Sequence, residues 1–219
     1  MRIAVIDTGV NPWHSHVRGR VEGCRVLVGA DGSIREDGDF RDPVGHGTAV
    51  AGVLREALPE AMLFAVRVFG DGETTYPSLV ARGILRAAAE GCRVLNLSLG
   101  VAPGPGADLL AQACEAAAEA GCVLVAPALL DRPGLLPAAL PRVCRALADE
   151  GLFPGEVLPA PGAPATSRGS PRGPTCGARP SPAPGSRPTW RGRRPSPPAA
   201  AARRSCLGRE RRPHLVQRP

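Results

Sequence analysis

The sequence predicts a three-layer α/β/α domain on a mainly parallel, doubly wound sheet, followed by a disordered Pro/Arg-rich tail. Three observations carry that expectation. Short β-branched or apolar runs alternate with longer Ala-rich stretches of helical period, the pattern of a parallel sheet with helices on both faces. Two of the helical stretches run up to a glycine, the residue that most readily ends a helix in the left-handed conformation. After Glu150 the periodicity stops, and Pro, Arg, Gly, Ser and Ala follow in irregular order.

In chain order, strands are expected at Ile3 to Ile6, Arg25 to Val28, Leu63 to Val68, Val94 to Leu97 and Val123 to Ala126. Helices are expected at His46 to Ala57, Pro77 to Glu90 and Ala107 to Ala120, the last two closed by Gly91 and Gly121. From Ala178 to Pro219 the composition cannot bury enough apolar area to offset chain entropy, so that stretch reads as disordered. The expected division is an incomplete domain over residues 1–175 and a tail over 176–219.

A chain of 219 residues with 43% hydrophobic content can bury a sizeable core. Its charge is unevenly placed. Up to Glu150, fourteen Arg face eighteen acidic residues, a net of −4; from Gly151 onward, thirteen Arg face two acids, a net of +11, among fifteen Pro. Any nucleic-acid argument therefore rests on the tail, where Arg191 to Arg194 and Arg203 to Arg212 cluster positive charge. Only Trp190 offers an aromatic platform there, and no RNA- or DNA-binding module precedes it, so a nucleic-acid partner is not expected.

No run reaches the roughly 18 apolar residues that a membrane span needs, and no membrane partner is expected. The seven cysteines show no CxxC pairing and sit mostly in apolar runs, where a reduced thiol packs as a small hydrophobe. With no charged region and long apolar run at the start, a cytoplasmic location is the expectation. All 27 basic residues are Arg, which points to a GC-rich coding sequence.

Three segments carry chemistry. Asp7-Thr8-Gly9 follows an apolar strand, which puts a carboxylate at the carboxyl end of a parallel strand, where open α/β sheets hold their functional groups. Taken alone, such an aspartate is more often a turn former or a helix cap. Gly45-His46-Gly47-Thr48-Ala49-Val50-Ala51-Gly52 sets a histidine between glycines at the start of a helix whose small residues allow close packing on the sheet. Leu95-Asn96-Leu97-Ser98-Leu99-Gly100 reads as a buried strand ending in a small-residue turn that can offer backbone groups to an extended peptide.

Together, and in this order, Ile3-Ala4-Val5-Ile6-Asp7-Thr8-Gly9, the His46 octet and the Ser98-Leu99-Gly100 turn resemble the subtilisin family of serine peptidases over about Arg2 to Ala128. The resemblance implies that His46 is the general base and that Asp7 fixes its tautomer and stabilises the imidazolium. It implies that Ser98, Leu99 and Gly100 pair with substrate backbone beside the specificity pocket. No cofactor and no metal is implied. His14 and His16 read as loop histidines, and Asp37, Asp39 and Asp42, considered as a calcium loop, match no specific spacing.

Two family features are displaced. Val125-Ala126-Pro127-Ala128-Leu129-Leu130 stands where the family runs into an Ala-Gly-Asn turn, so Leu130 occupies the place of the oxyanion asparagine. The Gly-Thr-Ser that opens the nucleophile helix is missing. Ala160-Pro161-Gly162 resembles the segment that precedes the nucleophile, and Gly173-Pro174-Thr175 then sets Thr175 at its position, with Ser170 and Ser167 as alternatives. The abrupt onset of the tail inside this motif, with its GC-codon composition, suggests a tail read out of frame.

The leading expectation is a cytoplasmic subtilisin-like endopeptidase acting on a peptide or protein, including a precursor. The second is a pseudo-peptidase that binds extended peptides without cutting them. Oligomeric state is not legible.

Overall fold

In a computed structural model, which describes residues 1–70, 74–149 and 158, the first strand, β1 (Arg2–Asp7), is buried from Ile3 to Asp7. Such continuous burial is the mark of a strand with neighbours on both sides and cover on both faces. Next come β2 (Val21–Val28), β3 (Ile34–Asp37), α1 (His46–Ala57), β4 (Met62–Arg67) and α2 (Pro77–Ala89). The order closes with β5 (Val94–Asn96), α3 (Ala107–Glu119), β6 (Val123–Pro127) and β7 (Val143–Ala146).

The seven strands form one sheet in the order β3-β2-β4-β1-β5-β6-β7. Every pairing is parallel except that of β3, which returns antiparallel on β2. The sheet is doubly wound, with β1 near its middle and its chain-adjacent crossovers running to either side.

Alternate residues of one strand point to opposite faces, so the two cores can be sorted by strand position. Ala4 and Ile6 of β1, Phe64 and Val66 of β4, Leu95 of β5 and Leu124 of β6 join Leu79, Val80, Ile84, Leu110 and Cys114 of α2 and α3 in the larger core. Ile3 and Val5, with Leu63 and Ala65, face the other way and join Val10, Val17, Ala61 and Ala51 of α1. The result is the expected three-layer α/β/α arrangement. Cover is unequal on the two faces: among the described residues α1 is the sole helix on its side.

The five expected strands and three expected helices form, with ends shifted by a few residues. α2 and α3 stop at Ala89 and Glu119, one residue earlier than expected, and Gly91 (φ 75°) and Gly121 (φ 84°) follow their caps in the left-handed conformation. β2 starts at Val21 rather than Arg25 because its first residues pair with Leu63 to Ala65 of β4. β3 and β7 are additions to the sequence expectation. β3 is Ile-Arg-Glu-Asp, a charged edge strand held by the hairpin pairing Arg25↔Asp37 to Val28↔Ile34 and by Glu36, which receives Arg82 and Arg86 of α2 at 2.5 Å each. β7 is four residues long and has one buried side chain, Val143. The expected tail, and the boundary at residue 175, lie outside the described residues.

Candidate active site

Two glycines decide how closely the chain packs around the end of β1, Gly9 against the loop before α1 and Gly47 within α1. Gly9 has φ +116°, and a Cβ there would lie 2.7 Å from the carbonyl oxygens of both Phe40 and Arg41. At Gly47 a Cβ would lie 2.1 Å from the Gly9 carbonyl oxygen and 3.0 Å from Asp7 Cβ. Because Gly47 lacks a side chain, the first turn of α1 seats directly against Gly9 and Asp7 at the end of β1.

That seating brings His46 to Asp7. His46 Nδ1 is 2.8 Å from Asp7 Oδ1, and the Asp7 carboxylate is wholly buried, at 0% exposure. Asp7 Oδ1 also accepts the Thr8 N–H at 2.6 Å, while Oδ2 is buried without a hydrogen-bond partner among the described residues. The hydrogen bond to Asp7 lifts the imidazole pKa above its ordinary value, burial works against it, and the charges of Asp7 and Asp42 add to the rise. With Nδ1–H directed at the carboxylate, Nε2 is the nitrogen left to take a proton.

A second carboxylate, passed over as a site residue in the sequence reading, underlies the histidine. Asp42 Oδ1 accepts from Thr8 Oγ1 at 2.9 Å, Val44 N at 3.0 Å and Gly45 N at 2.8 Å. Its Oδ2 accepts from Thr48 N at 2.8 Å and Thr48 Oγ1 at 2.6 Å. Burial alone would raise the Asp42 pKa, but the donors from Thr48, Gly45 and Thr8 outweigh it and hold the carboxyl below its ordinary value. Of the carboxylates considered as a calcium loop, Asp37 pairs with Arg25 and Asp39 with Arg41, and Asp42 serves the histidine turn instead. Its signal was the spacing Asp42-x-x-x-His46, invisible as chemistry because most of its partners are main-chain amides.

The Ser98-Leu99-Gly100 segment leaves the sheet directly after β5, which lies beside β1 and runs parallel to it. It therefore emerges at the same sheet edge as Asp7. Leu99 is buried and Gly100 exposed, Asn96 Nδ2 donates to Ser98 Oγ at 2.7 Å, and Val101 forms an antiparallel bridge with Leu136. Leu135 stands against Gly100: a Cβ on that glycine would be 3.2 Å from Leu135 Cδ1. Leu130 is 83% exposed beyond the end of β6. Thr175, Ser170 and Ser167 lie outside the described residues. His14 and His16 stack edge to face, with ring centres 5.3 Å apart, in a cleft of about 640 Å³ beside α1 that is lined by neither Asp7 nor His46.

The family model of peptidase S8, the subtilase family, matches residues 1–128, the stretch that contains β1 through β6 and the Asp7–His46 pair. This chain belongs to the subtilase family. Thermitase of Thermoactinomyces vulgaris is 35% identical to this subtilase over 137 residues, covering 58% of this chain and 46% of thermitase. Subtilisin Savinase of Lederbergia lenta is 34% identical over 135 residues, covering 58% and 46%. The chain thus spans about half the length of the curated relatives it matches. Among solved structures, the S41 psychrophilic protease shares 29% identity and superposes with a TM-score of 0.56 over 66% of this chain and 52% of its own. The epidermin leader peptide processing serine protease of Staphylococcus aureus, at 24% identity and TM-score 0.55, shares the fold.

Within this subtilase, the aspartate and histidine expected from the sequence are brought together. The third member of the expected set is not among the described residues.

Proposed function

We propose that this subtilase acts as a serine-type endopeptidase, hydrolysing peptide bonds through a relay of Asp7, His46 and a hydroxyl nucleophile. The observation that carries the reading is the 2.8 Å contact from His46 Nδ1 to a wholly buried Asp7. A carboxylate buried against one imidazole nitrogen fixes the tautomer and favours the imidazolium that forms when the other nitrogen takes the nucleophile's proton. His46 later returns that proton to the leaving amine. Thr175 is the nucleophile that the resemblance of Ala160-Pro161-Gly162 to the family's segment implies, with Ser170 and Ser167 as alternatives. Ser98, Leu99 and Gly100 would receive an extended peptide, including that of a protein precursor, by main-chain pairing at the sheet edge. Buried thiols at Cys24, Cys92, Cys114 and Cys122, none in a disulfide, agree with a reducing, cytoplasmic setting.

The test is labelling of the purified full chain with a fluorophosphonate probe, followed by peptide mapping, with His46→Ala as control. Covalent label on Thr175, Ser170 or Ser167 that disappears in the control is the expected result. No label on a folded sample would overturn the proposal.

One observation favours a second reading, a pseudo-peptidase that binds peptides without cutting them. Leu130 stands in the oxyanion asparagine's place, and a leucine side chain has no hydrogen to donate to a developing oxyanion; losing that donor costs about 3 kcal/mol of transition-state stabilisation. Cleavage of fluorescent casein by the wild type, abolished in His46→Ala, would end this reading.

A further inference from the structure

We infer that Asp42 is a positioning residue for the relay, clamping the first turn of α1 to the strand end that carries Asp7 and so setting the His46–Asp7 distance; this rests on the peptidase reading of the same pair. Three features of the hydrogen bonding lead there. The first amides of a helix have no partners inside it, and the cap residue of α1, Gly45, has no side chain to offer. Asp42, four residues before His46, supplies the missing acceptor from outside the helix, taking the Thr48 amide on Oδ2 and the Gly45 amide on Oδ1. A carboxylate at this end of a helix is also favoured by the helix dipole.

The same carboxylate reaches across to β1. Thr8 Oγ1 donates to Asp42 Oδ1 at 2.9 Å and accepts the Gly47 amide at 3.0 Å. Thr8 directly follows Asp7, and Gly47 directly follows His46. Each partner of the relay therefore has its chain neighbour in one bonded circuit through Asp42, Thr8 and the helix start. Thr48 Oγ1 closes a further link by accepting the Asn11 amide at 3.0 Å.

Charge-assisted hydrogen bonds of this kind are stronger than neutral ones, and a circuit that holds both main chains fixes geometry more tightly than the single imidazole contact can. Asp7 from β1 and Asp42 from the turn before α1 are the charged groups acting on His46 among the described residues. Asp42 is thus tied to the histidine in two ways, through position and through charge, and the test must part them.

Thr8→Val does so, because it keeps the charge of Asp42 and the shape of residue 8 while cutting the link between them. The measurement is a titration of His46 in histidine-labelled full-length protein by NMR, following its pKa and the exchange of its Nδ1–H, for wild type, Thr8→Val, Asp42→Asn and Asp42→Ala. The expected result is a fall in the His46 pKa in Thr8→Val, faster Nδ1–H exchange, and larger changes in the same direction in both Asp42 variants. A folded Thr8→Val whose His46 pKa and exchange match the wild type would overturn the proposal, whether or not the Asp42 variants fold. Neither readout depends on turnover. Failure of the fluorophosphonate experiment therefore strikes the peptidase reading, whereas an unchanged His46 in Thr8→Val strikes the clamp, and the two failures are told apart.

Discussion

Val123 and Leu124 are neighbours in β6 with opposite surroundings: Leu124 is 1% exposed beneath α3, while Val123, turned to the other face, is 51% exposed. The difference follows from the uneven helical cover of the sheet. Replacing Leu124 with Ala should cost about 2–5 kcal/mol, since it empties a well-packed site. Replacing Val123 with Thr should change stability by less than about 0.5 kcal/mol. Urea denaturation of both variants measures the contrast; similar losses for the two would mean that the α1 side of β6 is covered in solution.

Gly47 is expected to tolerate no side chain. A Cβ there would lie 2.1 Å from the Gly9 carbonyl oxygen, a main-chain atom that cannot swing aside. Gly47→Ala should lose about 1–3 kcal/mol through overpacking and push His46 away from Asp7. Denaturation gives the first quantity, and loss of the protected His46 Nδ1–H signal reports the second.

Because His46 has its pKa raised chiefly by the hydrogen bond to Asp7, its folded value exceeds its unfolded one. The stabilisation linked to this shift is fully present below the unfolded imidazole value of about 6.5 and disappears as pH rises through the folded value. In Asp7→Asn the raised pKa should fall to the ordinary value or below, and the associated pH dependence of stability should vanish. An NMR titration of His46 in the wild type that gave an ordinary or depressed pKa would contradict the pairing.

The thiols should divide sharply by reactivity. Burial pushes Cys24 and Cys92 up to about 11 and Cys114 up to about 12, whereas Cys144 lies exposed on β7. Thiolate is the reactive form, so iodoacetamide applied to the native protein at neutral pH should modify Cys144 and spare the other three until denaturant is added. Peptide mapping reads the outcome; early modification of Cys114 would show that the α3 side of the core opens easily.

Much of this arrangement is legible in the residues themselves. Ile3 to Ile6 is apolar without alternation because the strand is covered on both faces, and the glycines around His46 announce the close approach that the clash at Gly47 now quantifies. Gly91 and Gly121 mark helix ends for a conformational reason that holds in any context. What escaped depends on distant partners. β3 has three charged residues in four and becomes a strand because β2 pairs with it and α2 supplies arginines to Glu36. Asp42 looked like a member of an acidic loop because local spacing says nothing about the amides and hydroxyls that fold back on it.

The small core beneath α1 has a further property. All of its fully buried members, from Ile3 to Ala65, belong to one unbroken stretch of sequence that also contains Asp7, Asp42 and His46. During synthesis from the N-terminus, this core and every side chain hydrogen-bonded to the acid–base pair or to Asp42 are made once β4 leaves the ribosome, before α2 and β5 complete the cover of β1. The residues that bond to the pair are thus inherited as a block: an insertion, deletion or change of reading frame beyond β6 leaves every one of them in the sequence.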